Sequence, residues 1–74
     1  DDDTFLHVYP NPTRGVINIS AILPTITTVY NSVGEVIVDQ STSEKIDISE
    51  SANGVYFVQV MLGKRVHCER IIKR

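Results

Sequence analysis

Residues branched at Cβ dominate this chain, and no other feature limits its fold more. Of its 74 residues, nine are Ile, ten Val and six Thr, against two Ala and three Leu. Branched side chains lose rotamer freedom in a helix and pack well on a pleated sheet. We therefore expect an all-β domain and exclude a helical bundle. A chain of this length forms one small domain with little room for a deep cleft beside its core.

Short apolar or alternating runs separated by turn signals predict seven strands. They are expected at residues 5–9, 16–20, 25–30, 35–39, 45–49, 55–62 and 65–74. A single sheet of this size would leave an apolar face in water, so two sheets of three or four strands should pack face to face. The predicted architecture is a small immunoglobulin-like antiparallel β-sandwich. The Cys and Trp pattern of antibody domains is absent, so only the architecture is predicted.

Residues 10–15 carry the strongest turn signal in the chain. Pro12 fixes the φ of a turn's second position, Asn11 can bond its own backbone ahead, and Gly15 tolerates a positive φ. Residues 31–34 begin with Asn and end with Gly, as a type I turn prefers. The turns at residues 10–15 and 53–54 are predicted to have a fixed, exposed shape.

Few residues suit catalysis or metal binding. His67-Cys68-Glu69 places a thiol beside a base, but neighbouring side chains in a strand point to opposite faces, so His67 cannot activate Cys68 there. We predict that Cys68 is half-buried and structural. Two His and one Cys are too few and too scattered to predict a metal site. No catalytic residue, metal or cofactor is therefore predicted.

Positive charge is concentrated at the C-terminus. Residues 64–74 hold five basic residues and one acid, whereas residues 1–63 hold two basic residues and eight acids. The net charge of −2 argues against a nucleic-acid binder. The basic last strand either protects a sheet edge from aggregation or is recognised by an acidic groove of a partner.

The sequence also predicts where the domain begins. Residues 1–3 are interpreted as the end of a linker, and the domain itself is expected at residues 4–74.

Three tyrosines have two interpretations. Tyr9, Tyr30 and Tyr56 are predicted to supply buried area to a small core, with each hydroxyl reaching its edge. In the alternative, they form a stacking platform for a sugar or a base. An immunoglobulin-like module that binds carbohydrate or protein would need such an exposed aromatic strip.

Four segments together resemble a known family. They are VYPNPTRG at residues 8–15, YNSVGEVI at 30–37, NGVYFVQV at 53–60 and RIIKR at 70–74. In this order they are similar to the C-terminal sorting domains of the type IX (Por) secretion system of Bacteroidetes. The resemblance covers nearly the whole chain and suggests recognition roles for Tyr9, Pro10, Asn11, Pro12, Gly15, Gly34, Gly54, Tyr56, Arg70, Lys73 and Arg74. The chain departs from the family pattern at Asn31, where Asp is common, and at Glu35, where a basic residue is usual.

The resemblance implies a non-catalytic address on a cargo protein. Such a domain passes through the periplasm and directs its cargo across the outer membrane to the cell surface or into the medium. The implied partners are the type IX machinery, including an outer-membrane shuttle, and a sortase-like peptidase that often removes the domain. No nucleic acid or small-molecule substrate is implied. A binding module, a domain retained in the secretion apparatus, and a homodimer through an edge strand all remain open.

Overall fold

The computed structural model describes residues 6–74, which form two packed antiparallel sheets. The strands are β1 (Leu6–Tyr9), β2 (Val16–Ala21), β3 (Thr25–Asn31), β4 (Val36–Ser41), β5 (Lys45–Asp47), β6 (Gly54–Leu62) and β7 (Arg65–Lys73). One sheet has the order β1-β2-β5 and the other β4-β3-β6-β7. The first, second and fifth strands share a sheet, as strands A, B and E do in immunoglobulin domains. The predicted all-β sandwich of seven strands is confirmed.

Every predicted strand is present, with bounds that differ by at most two residues where the structure describes them. β4 continues to Ser41 through Gln40, whose φ is +50°. β5 ends at Asp47, where the carboxylate accepts the backbone N–H of Ser49 at 2.8 Å and turns the chain. Three predictions lie outside the described residues: the linker at 1–3, the domain start at 4 and the strand start at 5.

The core lies between the two sheets and follows the alternation of the strands. Its buried apolar side chains are Val8, Ile17, Ile19, Val29, Ile46, Ile48, Tyr56, Val58, Val60 and Ile71. Successive residues of a strand point to opposite faces, so alternate residues of a strand enter this layer. β4 supplies none of the buried residues, and its half-buried Val38 packs against them. The β3 residue Thr27 also faces the core, and its buried hydroxyl has no hydrogen-bond partner.

Two hairpins join neighbouring strands of the four-stranded sheet, and the first has the predicted turn at residues 31–34. Asn31 and Glu35 enclose a three-residue loop in which Gly34 has a φ of +89°. The Asn31 side chain accepts the backbone N–H groups of Val33 and Glu35 and so fixes this loop. Gly63 and Lys64 join β6 to β7 as a two-residue turn, with a positive φ at Gly63.

The connections sort to the two ends of the sandwich, as the strand register requires. One end holds residues 10–15, 32–35, 48–53 and 70–74, and we call it the motif end. The other holds residues 22–24, 42–44 and 63–64, and we call it the far end. No helix long and apolar enough to cross a membrane occurs between residues 6 and 74.

Candidate functional site

At the motif end, the segment between β1 and β2 lies along the outer edge of β7. The Asn11 side chain bonds that edge twice: Nδ2 donates to the carbonyl of Arg70 at 2.9 Å, and Oδ1 accepts the N–H of Ile72 at 3.0 Å. An amide side chain offers the same donor and acceptor as a peptide group, so Asn11 pairs the edge as a neighbouring strand would. The expectation that Asn11 bonds its own backbone ahead is wrong, because β7 engages both ends of the amide.

The backbone of Thr13 continues this pairing. Its N–H donates to the carbonyl of Ile72 at 2.8 Å, and its carbonyl accepts the N–H of Arg74 at 2.9 Å. Thr13 and Lys73 thereby form an isolated parallel bridge. The edge of β7 is therefore covered from residue 70 to residue 74 by a segment about 60 residues earlier in the chain.

The side chain of Thr13 holds the same segment together from inside. Thr13 is only 2% exposed. Its hydroxyl donates to the carbonyl of Val16 at 2.7 Å and accepts the N–H of Gly15 at 3.1 Å. The sequence predicts that the Asn11 side chain makes the local bond that stabilises this turn, but the hydroxyl of Thr13 makes that bond instead.

Gly15 is required both by backbone conformation and by space. Its φ is +149°, and a Cβ built there would lie 2.7 Å from the Cβ of Ser49. Its carbonyl accepts the N–H of Ile48 at 2.7 Å, which draws the segment after β5 against it. Gly54 has the same φ of +149° but open space around it, so there only the backbone conformation favours glycine.

The segment before β6 is bound to the end of β7. Lys73 is 7% exposed, and its Nζ donates to Oδ1 of Asn53 at 2.9 Å. Tyr56, near the start of β6, donates its hydroxyl to the carbonyl of Ala52. This is the tyrosine-corner arrangement of immunoglobulin-like domains, and it fixes the loop that carries Asn53.

Three arginines remain on the surface of the motif end. Arg14, Arg70 and Arg74 are exposed, and Arg14 and Arg74 flank a shallow groove lined also by Pro12 and Thr13. Guanidinium groups bind carboxylates and phosphates through paired hydrogen bonds. The groove is therefore suited to an acidic group of a partner.

The structure places all the predicted recognition residues at the motif end, although their roles differ. The hydrogen bonds described above bring Asn11, Gly15, Tyr56, Arg70, Lys73 and Arg74 into one assembly, and Gly54 is the register partner of Lys73. Pro10 and Pro12, both after cis peptide bonds, frame Asn11. Gly34 lies at the same end in the separate β3–β4 hairpin.

Two predicted roles need correction. Lys73 does not add its charge to the surface, because it points inward and is bonded to Asn53. Tyr9 is not a core residue: it is 49% exposed, since Val8 is the β1 residue that faces the core. The core interpretation is confirmed for Tyr56, while Tyr30 is half-buried and donates its hydroxyl to Gln59.

The sequence around Cys68 does not form a reactive group. His67 and Glu69 share a face of β7, with Nε2 and Oε1 3.0 Å apart, whereas Cys68 lies on the other face as predicted. The expected half-burial of Cys68 is wrong: the thiol is exposed, because the even-numbered residues of β7 point away from the core. No group of three metal-ligating side chains occurs in the described part of the chain.

The model of the secretion system C-terminal sorting domain family matches residues 7–74. The chain belongs to this family. The match includes all four motif segments, which confirms the resemblance to type IX sorting domains. No curated protein matches the chain. Sorting domains of this family are non-catalytic signals for type IX secretion, so the domain serves export of its cargo to the cell surface or into the medium.

Two residues of the assembly, Thr13 and Asn53, are not among the predicted recognition residues. A threonine two positions before a turn glycine is a local signal for the hydroxyl bond of Thr13. Asn53 has no comparable signal, because its partner Lys73 is 20 residues away and on another strand.

Proposed function

We propose that this domain carries its cargo from the periplasm across the outer membrane, and that the type IX machinery reads the motif end. One observation carries the proposal. Hydrogen bonds join three motif segments that are far apart in sequence, and this assembly leaves Arg14, Arg70 and Arg74 exposed together. An outer-membrane shuttle with acidic groups could recognise such a surface directly.

The assembly makes recognition conditional on folding. Arg14 and Arg74 flank one groove only when Thr13 is bonded to the end of β7. A surface that is already ordered loses little conformational entropy on docking, so a few contacts can be selective. In an unfolded chain the two arginines are separated by 59 intervening residues and present no such surface.

The subsequent fate of the domain is a second part of the proposal. A sortase-like peptidase would cut upstream of residue 4 and leave the cargo on the cell surface or free in the medium. Mass spectrometry of the exported protein tests this step. A mature chain that ends before residue 4 supports cleavage, and one that retains residues 4–74 indicates instead a domain kept in the secretion apparatus.

A binding module remains the alternative function, and one observation favours it. Tyr30 and Phe57 are cross-strand neighbours on the outer face of the four-stranded sheet, and Phe57 is 37% exposed. This pair is smaller than the aromatic strip predicted for such a module, since Tyr56 is buried on the opposite face. Loss of glycan or protein binding in Y30A/F57A, with export unchanged, would support the alternative.

The deciding experiment fuses the chain to a periplasmic reporter in a bacterium with a type IX system. Deletion of residues 70–74 would also remove the core residue Ile71 and the buried Lys73, so it cannot separate recognition from folding. The double variant R14E/R74E reverses two exposed charges at the motif end. K45E/K64E makes the same change in net charge on exposed residues away from the motif groove.

We expect R14E/R74E to lower the surface-exposed reporter by about tenfold, because it reverses the charges offered to the partner. K45E/K64E should export normally. Circular dichroism and thermal unfolding of both purified variants show whether the fold is kept. Normal export of a folded R14E/R74E would contradict the role of the motif end, and no export of the unmodified fusion would contradict the sorting function.

A further inference from the structure

A row of three side chains crosses the outer face of the four-stranded sheet near the motif end. The register places Tyr30 of β3 opposite Phe57 of β6, and Phe57 opposite Arg70 of β7. By the alternation of the three strands, all three residues belong to the face that points away from the core. We call them the outer row.

The strand pairing fixes the spacing within the outer row. The carbonyl of Arg70 accepts a hydrogen bond from Asn11 and so points away from β6, which makes Phe57 and Arg70 a non-hydrogen-bonded pair with Cα atoms about 4.5 Å apart. Tyr30 and Phe57 are then a hydrogen-bonded pair, with Cα atoms about 5.5 Å apart. The row is therefore about 10 Å long, which is close to the length of a disaccharide.

The groups in and beside the outer row are those that bind an acidic sugar. The hydroxyl of Tyr30 donates to Oε1 of Gln59 at 3.1 Å, which orients the Tyr30 ring and places an amide group beside the row. The negative face of an aromatic ring attracts the C–H groups on the apolar side of a sugar ring. Amides bind hydroxyl groups, and a guanidinium binds a carboxylate through paired hydrogen bonds.

We propose that the outer row binds a disaccharide unit of an acidic glycan. The neutral sugar lies over Tyr30 and Phe57, and the carboxylate of the acidic sugar pairs with Arg70. This site is separate from the groove of the motif end, which is lined by residues 12–14 and 74. It does not depend on the sorting function.

Charge sets the direction of the ligand. Arg70 is the one charged residue on the outer face of β3, β6 and β7, all of which lie within the described residues. On the other side of Tyr30, Glu35 lies just before β4 and Asp39 lies on it, and both are exposed. A carboxylate is attracted at the β7 end of the row and repelled at the β4 end.

The size of the exposed surface favours a sugar over a protein partner. Phe57 is 37% exposed and Tyr30 is half-buried, whereas a stable protein interface buries about 800 Å² on each partner. The next row is polar, with Thr28 opposite Gln59, and it separates the two rings from the exposed apolar residues nearer the far end. What remains is a small aromatic surface with polar groups at its border, as sugar rings require.

The test titrates the whole 74-residue chain with cellobiouronic acid and with cellobiose, in which a CH₂OH group replaces the carboxylate. Backbone amide NMR signals report the binding. We expect the acidic sugar to bind about tenfold more tightly, to shift the signals of the outer row, and to lose this advantage as salt is raised. Equal affinity for both sugars would overturn the proposal. Absence of binding by either would also overturn it and leave this face to a protein partner.

Two charge variants locate the carboxylate. R70Q removes the charge of the outer row and keeps the backbone carbonyl that Asn11 binds, while R74Q removes an exposed charge at the motif groove. R70Q should weaken the acidic sugar about tenfold and leave cellobiose unchanged, and R74Q should change neither. Loss of the acidic sugar in R74Q, with R70Q unaffected, would place the anion in the motif groove and overturn the proposal.

A second pair of variants tests the aromatic part of the site. F57A should weaken both sugars about tenfold, because it removes the central ring of the row. M61A is the matched control, since Met61 lies on the same face of β6 and is 42% exposed. Circular dichroism of both variants shows whether the fold is kept. Unchanged binding of cellobiouronic acid by a folded F57A would contradict stacking of the sugar on this row.

Discussion

The two ends of the sandwich are built in different ways. At the motif end, side chains bond backbone or side-chain groups up to 61 residues away, and the buried polar residues Thr13 and Lys73 have partners. At the far end, Ser43 bonds only residues two positions away, and Ile22 and Leu23 are 67% and 53% exposed. Turn-forming residues are therefore sufficient at the far end, whereas the motif end requires specific side chains that form long-range hydrogen bonds.

This difference explains why the family motifs gather at one end. A turn such as Gly63-Lys64 can be formed by several residue pairs with the right backbone preferences. Asn11 can be replaced only by a side chain that both donates to and accepts from the β7 edge at the same reach. The identity of a residue is therefore constrained most strongly at the motif end, where residues 10–15 pair with the end of β7.

Substitution of Gly15 should have the largest effect on stability. We expect G15A to lower the free energy of unfolding by about 3 kcal/mol or more, because it adds a clash with Ser49 to the cost of a positive φ. G54A is the matched control, since it has the same φ but open space, and should cost about 1–2 kcal/mol. Urea unfolding measures both. Equal costs would show that the contact with Ser49 does not matter.

Removal of the Thr13 hydroxyl should have the next largest effect. T13V keeps the shape of the side chain but leaves the carbonyl of Val16 and the N–H of Gly15 without this partner. The expected loss is about 2 kcal/mol, as for other buried groups that lose their hydrogen bonds. The measurement is urea unfolding with amide hydrogen exchange at Gly15. An unchanged exchange rate at Gly15 would contradict the bond.

Thr27 provides the opposite case, in the core between the two ends. Its hydroxyl is buried and has no partner, so it is desolvated without compensation. T27V should therefore raise the free energy of unfolding by about 1 kcal/mol, whereas T13V lowers it. Urea unfolding of both variants compares a bonded with an unbonded buried threonine. A loss of stability in T27V would indicate that the hydroxyl has a role that its surroundings do not show.

The strands and the core could be predicted from the sequence, because alternation is a local signal. Alternation along residues 16–20 places Ile17 and Ile19 on one face of the strand, and both are buried. The inward position of Lys73 could not be predicted, because its partner Asn53 belongs to another segment. Tyr9 was misassigned for a related reason: its exposure depends on which residue of β1 faces the second sheet.

The partial coverage of β7 could not be predicted either. The basic composition of residues 64–74 was equally consistent with protection of an edge and with recognition by a partner. The structure shows that Asn11 and Thr13 protect part of this edge, while Arg70 and Arg74 remain exposed. Long-range backbone contacts decide between such alternatives, and they leave no periodic pattern in the sequence.

The smallest expected effect concerns Asp47, which shapes the loop next to Gly15. Hydrogen bonds from the Ser49 side chain and from its backbone N–H hold the pKa of the Asp47 carboxyl below its ordinary value. Because the folded chain favours the ionised form, Asp47 adds stability at neutral pH that is lost as the pH falls below about 4. Asp47 is fully exposed, so the contribution is small.

D47N tests this contribution, because its amide keeps an oxygen that can accept the N–H of Ser49 but cannot ionise near pH 4. The stability difference between the unmodified chain and D47N should shrink as the pH is lowered from 7 to 3. D39N makes the same charge change on the exposed edge of β4 and controls for net charge. A difference that stayed constant or grew with acidity, in thermal unfolding measured across that range, would show that the bonds to Ser49 do not favour the carboxylate. The loop at the motif end would then be held by Gly15 and Ile48 without help from this charge.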